Sequence, residues 1–210
     1  MEIVVVGAAG RTGRLVVGRA LEDGHGVTAL LRDPARALPE HERLTRVRGD
    51  VFDAGSLTGP LEGKDAVVVA LGVTGRGATT VFSEGVRNVI AAARAGGVRR
   101  LVAMSSAGLE TGHLPAVQRF VAGLVVDRIY RNIHLDLARM EAEIEAGAPD
   151  WTIVRVPMLT DGPATPGYRA VVGGHLPRAA RVARANVADY IVTHLDDPAT
   201  FGRRVEVADR

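Results

Sequence analysis

Two neighbouring serines, Ser105 and Ser106, close an apolar run that begins at Leu101. A run of this kind reads as a buried strand, so it carries its hydroxyls at the carboxyl tip. From there a serine can donate to a carbonyl or ring nitrogen of a bound acceptor. His134 offers a second donor or a holder of water, and reads equally as a histidine on a helix surface. Oxidation of an alcohol needs a base that takes the hydroxyl proton as hydride leaves. A tyrosine made acidic by a lysine four residues on is one such base. The only lysine here is Lys64, with Pro60 four residues before it, and Tyr130 is followed at that spacing by His134. Reduction of a conjugated ring asks less of the protein. It needs stacking, orientation and one proton, and orientation alone can supply much of the rate. The chain has no cysteine, which removes disulfides, thiolate nucleophiles and cysteine metal sites. No histidine pair has metal-ligand spacing, so no metal is expected.

The reducing group is indicated at the amino end. The run Ile3-Val4-Val5-Val6 meets Gly7-Ala8-Ala9-Gly10-Arg11-Thr12-Gly13, and an apolar helical stretch follows from Leu15. Gly7 permits a tight turn, Gly10 leaves room for a pyrophosphate beside the backbone, and Gly13 lets a helix pack on the strand. The helix start then aims unpaired N–H groups at phosphate. Ala9, Arg11 and Thr12 lie in the same turn. The glycine spacing, between a strand and a helix, predicts dinucleotide binding.

The end of the second strand selects the cofactor. It reads Leu31-Arg32-Asp33-Pro34. The Arg32 guanidinium can hold a 2′-phosphate through two parallel bonds, with Arg36 close enough to help. Asp33 can take ribose hydroxyls instead, or cap a turn starting at Pro34. NADPH is therefore the expected cofactor, with NAD left open through Asp33. Asp50 follows the third strand and can accept from an adenine amino group or cap the next turn. Ala70, Leu71 and Gly72 follow the fourth, where small residues let a cofactor pass. Pro157, after the sixth, shapes the chain near the nicotinamide.

The elements needed to hold these groups alternate along the chain. Strands are predicted over residues 3–6, 27–31, 44–47, 66–70, 100–104, 151–156 and 204–207. Helices are predicted over 11–22, 79–95, 127–146 and from Asn186, as an N-cap with Asp189 three residues on, to about Leu195. The sum is an α/β fold: a doubly wound, Rossmann-like parallel sheet in one domain over residues 1–210, with a small substrate-side excursion. Two stretches fit the alternation poorly, 107–126 and 157–177. Both follow strand ends, where open sheets bind ligands, so they are expected to form the substrate cleft. His113 lies in the first. Met158, Leu159 and Tyr168 in the second read as an apolar wall for a flat substrate or as core.

The chain's 210 residues, 47% hydrophobic, suffice for one sizeable core. A net charge of +2 and only 4% aromatic residues argue against a nucleic-acid partner. No apolar run has membrane-spanning length and no signal-like segment opens the chain, so a cytoplasmic enzyme is the reading. The expected partner is a small-molecule acceptor, and the expected state a monomer or small homo-oligomer.

The sequence resembles the atypical short-chain dehydrogenases that bind NAD(P), and more narrowly the flavin reductase and biliverdin-IXβ reductase group. The resemblance rests on Gly7 to Gly13, Leu31-Arg32-Asp33, Gly49-Asp50-Val51, Asp65 to Val69, Thr79 to Asn88, Ser105-Ser106-Ala107 and His134 to Met140. It implies an NADPH-dependent reductase of flavins or tetrapyrroles, Arg32 at the 2′-phosphate, Val51 beside Asp50 in the cofactor site, and Ser106 near the nicotinamide. It implies that His134 matches a family histidine at the start of the long helix. The stretch after Pro157 and that from Gly108 to Gly123 depart from the pattern, which leaves a quinone-like acceptor open. Without the tyrosine–lysine pair, a non-catalytic NmrA-like NAD(P) sensor is the alternative, and a sugar-nucleotide epimerase is disfavoured.

Overall fold

The computed structural model describes residues 1–35, 38–112, 119, 123, 129–165 and 167–210. His113, Arg36 and the predicted helix start at Asp127 lie outside them. Ten strands are present among the described residues: β1 Glu2–Val6, β2 Gly26–Leu31, β3 Leu44–Arg48, β4 Ala66–Val69, β5 Arg100–Ser106, β6 Asp150–Val156, β7 Met158–Thr160, β8 Arg169–Val172, β9 Arg181–Ala183 and β10 Arg203–Ala208. The α-helices whose full extent is described are α1 Gly13–Glu22, α2 Thr58–Leu61, α3 Ser83–Ala95, α4 Arg131–Gly147 and α5 Arg184–Thr193.

Eight strands form one sheet in the order β3-β2-β1-β4-β5-β6-β10-β8, parallel except where β8 runs against β10. The side-chain period of two divides each central strand between two cores. Ile3 and Val5 of β1 pack with α1 and α5, while Val4 and Val6 pack with α3 and α4. Ala66 and Val68 of β4 join the first core, and Val67 and Val69 the second. Unbroken apolar runs follow from burial on both faces. The sheet is a single-domain, Rossmann-like doubly wound fold. Its winding reverses between β1 and β4, the place where open sheets of this kind form a ligand crevice beyond the strand ends. No described helix is long and apolar enough to cross a membrane.

Several boundaries differ from the sequence reading for physical reasons. Helix α3 starts at Ser83 rather than residue 79 because its first amide acceptor comes from another helix: the Phe82 N–H donates to Asp136 Oδ2 at 2.9 Å. Asn186 is not an N-cap. It is buried inside α5, where its amide binds the Thr165 N–H and hydroxyl and the Asp209 carboxylate. Asp189 likewise pairs with Arg19 of α1 and accepts from the Tyr168 hydroxyl. The stretch 157–177 is not one irregular loop. It contains β7, which pairs with β9 in a two-stranded parallel sheet, and β8, which forms the sheet edge.

Candidate functional site

The glycine turn has the geometry that its spacing predicts. Gly7 has a φ of +83°, and a Cβ there would lie 2.5 Å from the Ala70 carbonyl oxygen at the end of β4. A Cβ on Gly13 would lie 2.1 Å from the Gly7 carbonyl oxygen. The turn closes through the Gly10 N–H, which donates to Gly7 O at 2.9 Å. The amides of Arg11, Thr12 and Gly13 make no backbone hydrogen bond among the described residues. Helix α1 begins two residues later than predicted, so these donors stand at its amino end, where the helix field favours an anion. A cradle that any side chain would fill, lined by free N–H groups, fits a diphosphate.

Arg32 is exposed one residue beyond β2 and makes no hydrogen bond or ion pair among the described residues. Asp33 is engaged locally: its Oδ1 accepts the Ala35 N–H at 3.0 Å, the capping role weighed for it. Asp50 also caps its turn, accepting the Phe52 N–H at 3.0 Å. Val51 is buried beside it, and its carbonyl accepts from Asn88. Ala70 is buried and Leu71 half-buried, while a Cβ on Gly72 would meet open space. Pro157 is half-buried at the junction of β6 and β7. Arg11 forms an ion pair with Asp161, just past β7, and Asp161 also binds Arg184 at 2.7 Å. The turn is thereby tied to the excursion after Pro157.

At the tip of β5, one strand further along the sheet, Ser106 Oγ lies 3.1 Å from His134 Nε2 and accepts the Gly108 N–H at 3.1 Å. Gly108 has no room for a side chain, since a Cβ would come within 2.9 Å of the His134 ring. Tyr130 stacks on that ring with centroids 6.2 Å apart. The two serines part company. Ser105 sits inside the strand, and its buried Oγ has no hydrogen-bond partner among the described residues. Alternation along β5 turns the two hydroxyls to opposite faces, which adjacency in sequence concealed. Leu159 and Tyr168 pack on the core beside α1 and α5, whereas Met158 is 67% exposed. Of the candidate apolar wall, only Met158 is left facing solvent.

A charged cluster went unpredicted. Arg155 donates to both oxygens of Glu141, at 3.0 and 2.6 Å, and lies 2.8 Å from Glu110 Oε1. His175 bridges Glu110 and Glu206 at 3.4 and 3.3 Å. Hydrogen bonding from Arg155 holds the Glu110 carboxyl below its usual range. The sequence signal was an arginine inside the apolar strand Trp-Thr-Ile-Val-Arg-Val, since a buried guanidinium needs a carboxylate. Glu110, Arg155, His175 and Glu206 line a cavity of about 200 Å³ beside the paired strands β6 and β10. None of the residues that line it belongs to the glycine turn. No group of three or more possible metal ligands occurs among the described residues.

The family model described as NAD(P)H-binding matches residues 7–198. An isoflavone reductase homolog from Zea mays is 31% identical over 94% of this chain and 65% of its own length. A cinnamoyl-CoA reductase from Oryza sativa is 40% identical over half of this chain and 34% of its own length. The chain thus spans less than two thirds of these relatives. Among solved structures, a short-chain dehydrogenase/reductase from Veillonella parvula in complex with NADP superposes with a TM-score of 0.83, at 20% identity over 99% of this chain and 94% of that one. The anaerobillin reductase ChuY from Escherichia coli O157:H7 gives 0.79, at 21% identity over 100% and 97%. Both likenesses bear on the fold.

Proposed function

The chain belongs to the NAD(P)H-binding family, and on that footing we propose that it is an NADPH-dependent reductase of a flat conjugated acceptor: a flavin, a linear tetrapyrrole or a quinone. The contact of Ser106 Oγ with His134 Nε2, at the strand tip beside the crevice, carries this reading. NADPH supplies a hydride when bound, and the protein must supply a proton. With both ring nitrogens protonated, the His134 imidazolium donates from Nε2 to Ser106 Oγ, which leaves the serine hydroxyl hydrogen free for an acceptor oxygen or ring nitrogen. Transfer of that hydrogen to the acceptor is made good from Nε2, so serine ends unchanged and the imidazole neutral. A proton taken up from solvent then restores the imidazolium.

The glycine turn and the amides of Arg11, Thr12 and Gly13 hold the diphosphate. Arg32 holds the 2′-phosphate, and Asp50 and Val51 border the adenine. Ala70, Leu71 and Gly72 give the cofactor passage, and Pro157 shapes the wall beyond it. The relatives named as reductases support the class of reaction, and the tetrapyrrole chemistry in the name of ChuY supports one of the acceptors. Ser105 has no part in the relay as drawn.

The test is a panel of flavin, biliverdin and quinone acceptors with NADPH, followed by loss of NADPH absorbance. Turnover that falls about tenfold or more in Ser106→Ala supports the reading. NADPH binding with no turnover of any acceptor contradicts it and favours a nucleotide sensor.

A further inference from the structure

The run Thr79 to Asn88 and the stretch His134 to Met140 are distinctive in the sequence, yet apart from His134 neither is used by the chemistry above. The structure joins them. Asp136 is fully buried in α4 and makes no ion pair among the described residues. Its carboxylate accepts the Phe82 N–H and the Ser83 hydroxyl at the amino end of α3. The positive end of that helix compensates the charge. Two positions earlier on α4, His134 faces Ser106. Residues two apart point roughly 200° away from each other around a helix, so one side chain grips α3 while the other reaches β5.

Helix α3 also contacts the adenine side of the crevice. Asn88 Nδ2 donates to the Val51 carbonyl at 2.8 Å. Gly85 lies against the same loop, where a Cβ would come within 3.0 Å of the Val51 side chain and 3.3 Å of Leu71. One rigid helix therefore touches the loops after β3 and β4 and the helix that bears His134.

We propose that α3 sets the spacing between the two ends of the cofactor site, with Asn88 as the positioning residue for the adenine-side loop and Asp136 as the positioning residue for His134. The proposal rests on the cofactor reading above. It separates two functions that a general packing role would mix. Loss of Asn88 harms only the adenosine half of the cofactor. Loss of Asp136 moves His134 off Ser106 and leaves the adenine loop in place.

The test uses two ligands, NADPH and reduced nicotinamide mononucleotide, which lacks the adenosine half, and nuclear magnetic resonance of the His134 imidazole. In calorimetry, Asn88→Ala weakens NADPH about tenfold and leaves the mononucleotide unchanged. In the free protein, Asp136→Ala shifts the His134 Nε2 resonance, Asn88→Ala does not, and Asp136→Asn, which keeps an acceptor for the Phe82 N–H, shifts it less. Equal weakening of both ligands by Asn88→Ala overturns the proposal, as does a His134 resonance unmoved by Asp136→Ala. If Asp136→Ala fails to fold, Ser83→Ala replaces it, and an unmoved resonance there has the same meaning. A wild-type chain that binds neither nucleotide defeats the cofactor reading and the Asn88 assignment with it, while the imidazole resonance still decides the role of Asp136.

Discussion

Around β1 and β4 the sheet ends in bare backbone: three glycines, amides without a backbone partner among the described residues, and a turn at Gly7 so close to the Ala70 carbonyl that a side chain there would not fit. Around β6 and β10 the same sheet is filled with charge, where Arg155 sits between Glu141 and Glu110 and His175 between Glu110 and Glu206. The first region offers donors that cost nothing to orient. The second spends its donors and acceptors on one another. A ligand with phosphates meets unsatisfied groups in the first, and must displace existing pairs in the second. The difference is the ground for placing the proposed cofactor site in the first region and not in the cavity of the second.

The contrast can be broken most severely at Gly13. A Cβ 2.1 Å from the Gly7 carbonyl cannot be accommodated by a side-chain shift. Gly13→Ala should cost about 3 kcal/mol of stability and abolish NADPH binding, read by denaturant melts and calorimetry. Glu141→Gln should cost about 2 kcal/mol, because it strands the buried Arg155 while Glu110 still neutralises part of its charge. Its NADPH affinity should stay at the wild-type value. A matching loss of affinity would show that the two regions are not independent. Arg32→Ala should weaken NADPH about tenfold, through loss of a charge-assisted phosphate contact, and leave NADH affinity and thermal stability unchanged.

The smallest effect concerns acid. The Glu110 carboxyl is held below its ordinary value of 4.5 by Arg155. A depressed carboxyl pKa contributes stability that is present above the unfolded value and is lost as pH falls through the folded one. Wild-type melting temperature should therefore drop more steeply than that of Glu110→Gln as pH falls below 4.5. Parallel acid limbs would contradict the pairing.

The backbone-built region was legible because each residue there acts through its own shape. The valines of β1 are continuous because both faces are covered, and the glycines are spaced by what a turn and a helix start need. Ser106 was legible as a strand-tip hydroxyl for the same reason. Where tertiary partners decide, local pattern misleads. The start of α3 waits for a carboxylate 54 residues away on another helix. Asn186, an N-cap by composition, is drawn inside α5 by Asp209 and Thr165. Strands β7 and β9 have three residues each, too few for alternation to be read. Arg155 could have been questioned, since an arginine in an apolar strand demands a partner, although the identity of Glu141 and Glu110 could not be read from spacing.

Calorimetric titration of the wild-type chain with NADPH and with NADH tests the central claim most directly. The free amides of the first turn and the unengaged Arg32 predict binding of NADPH about tenfold or more tighter than NADH. Absence of heat with either nucleotide up to roughly millimolar concentration, where even weak specific sites fill, would contradict the account.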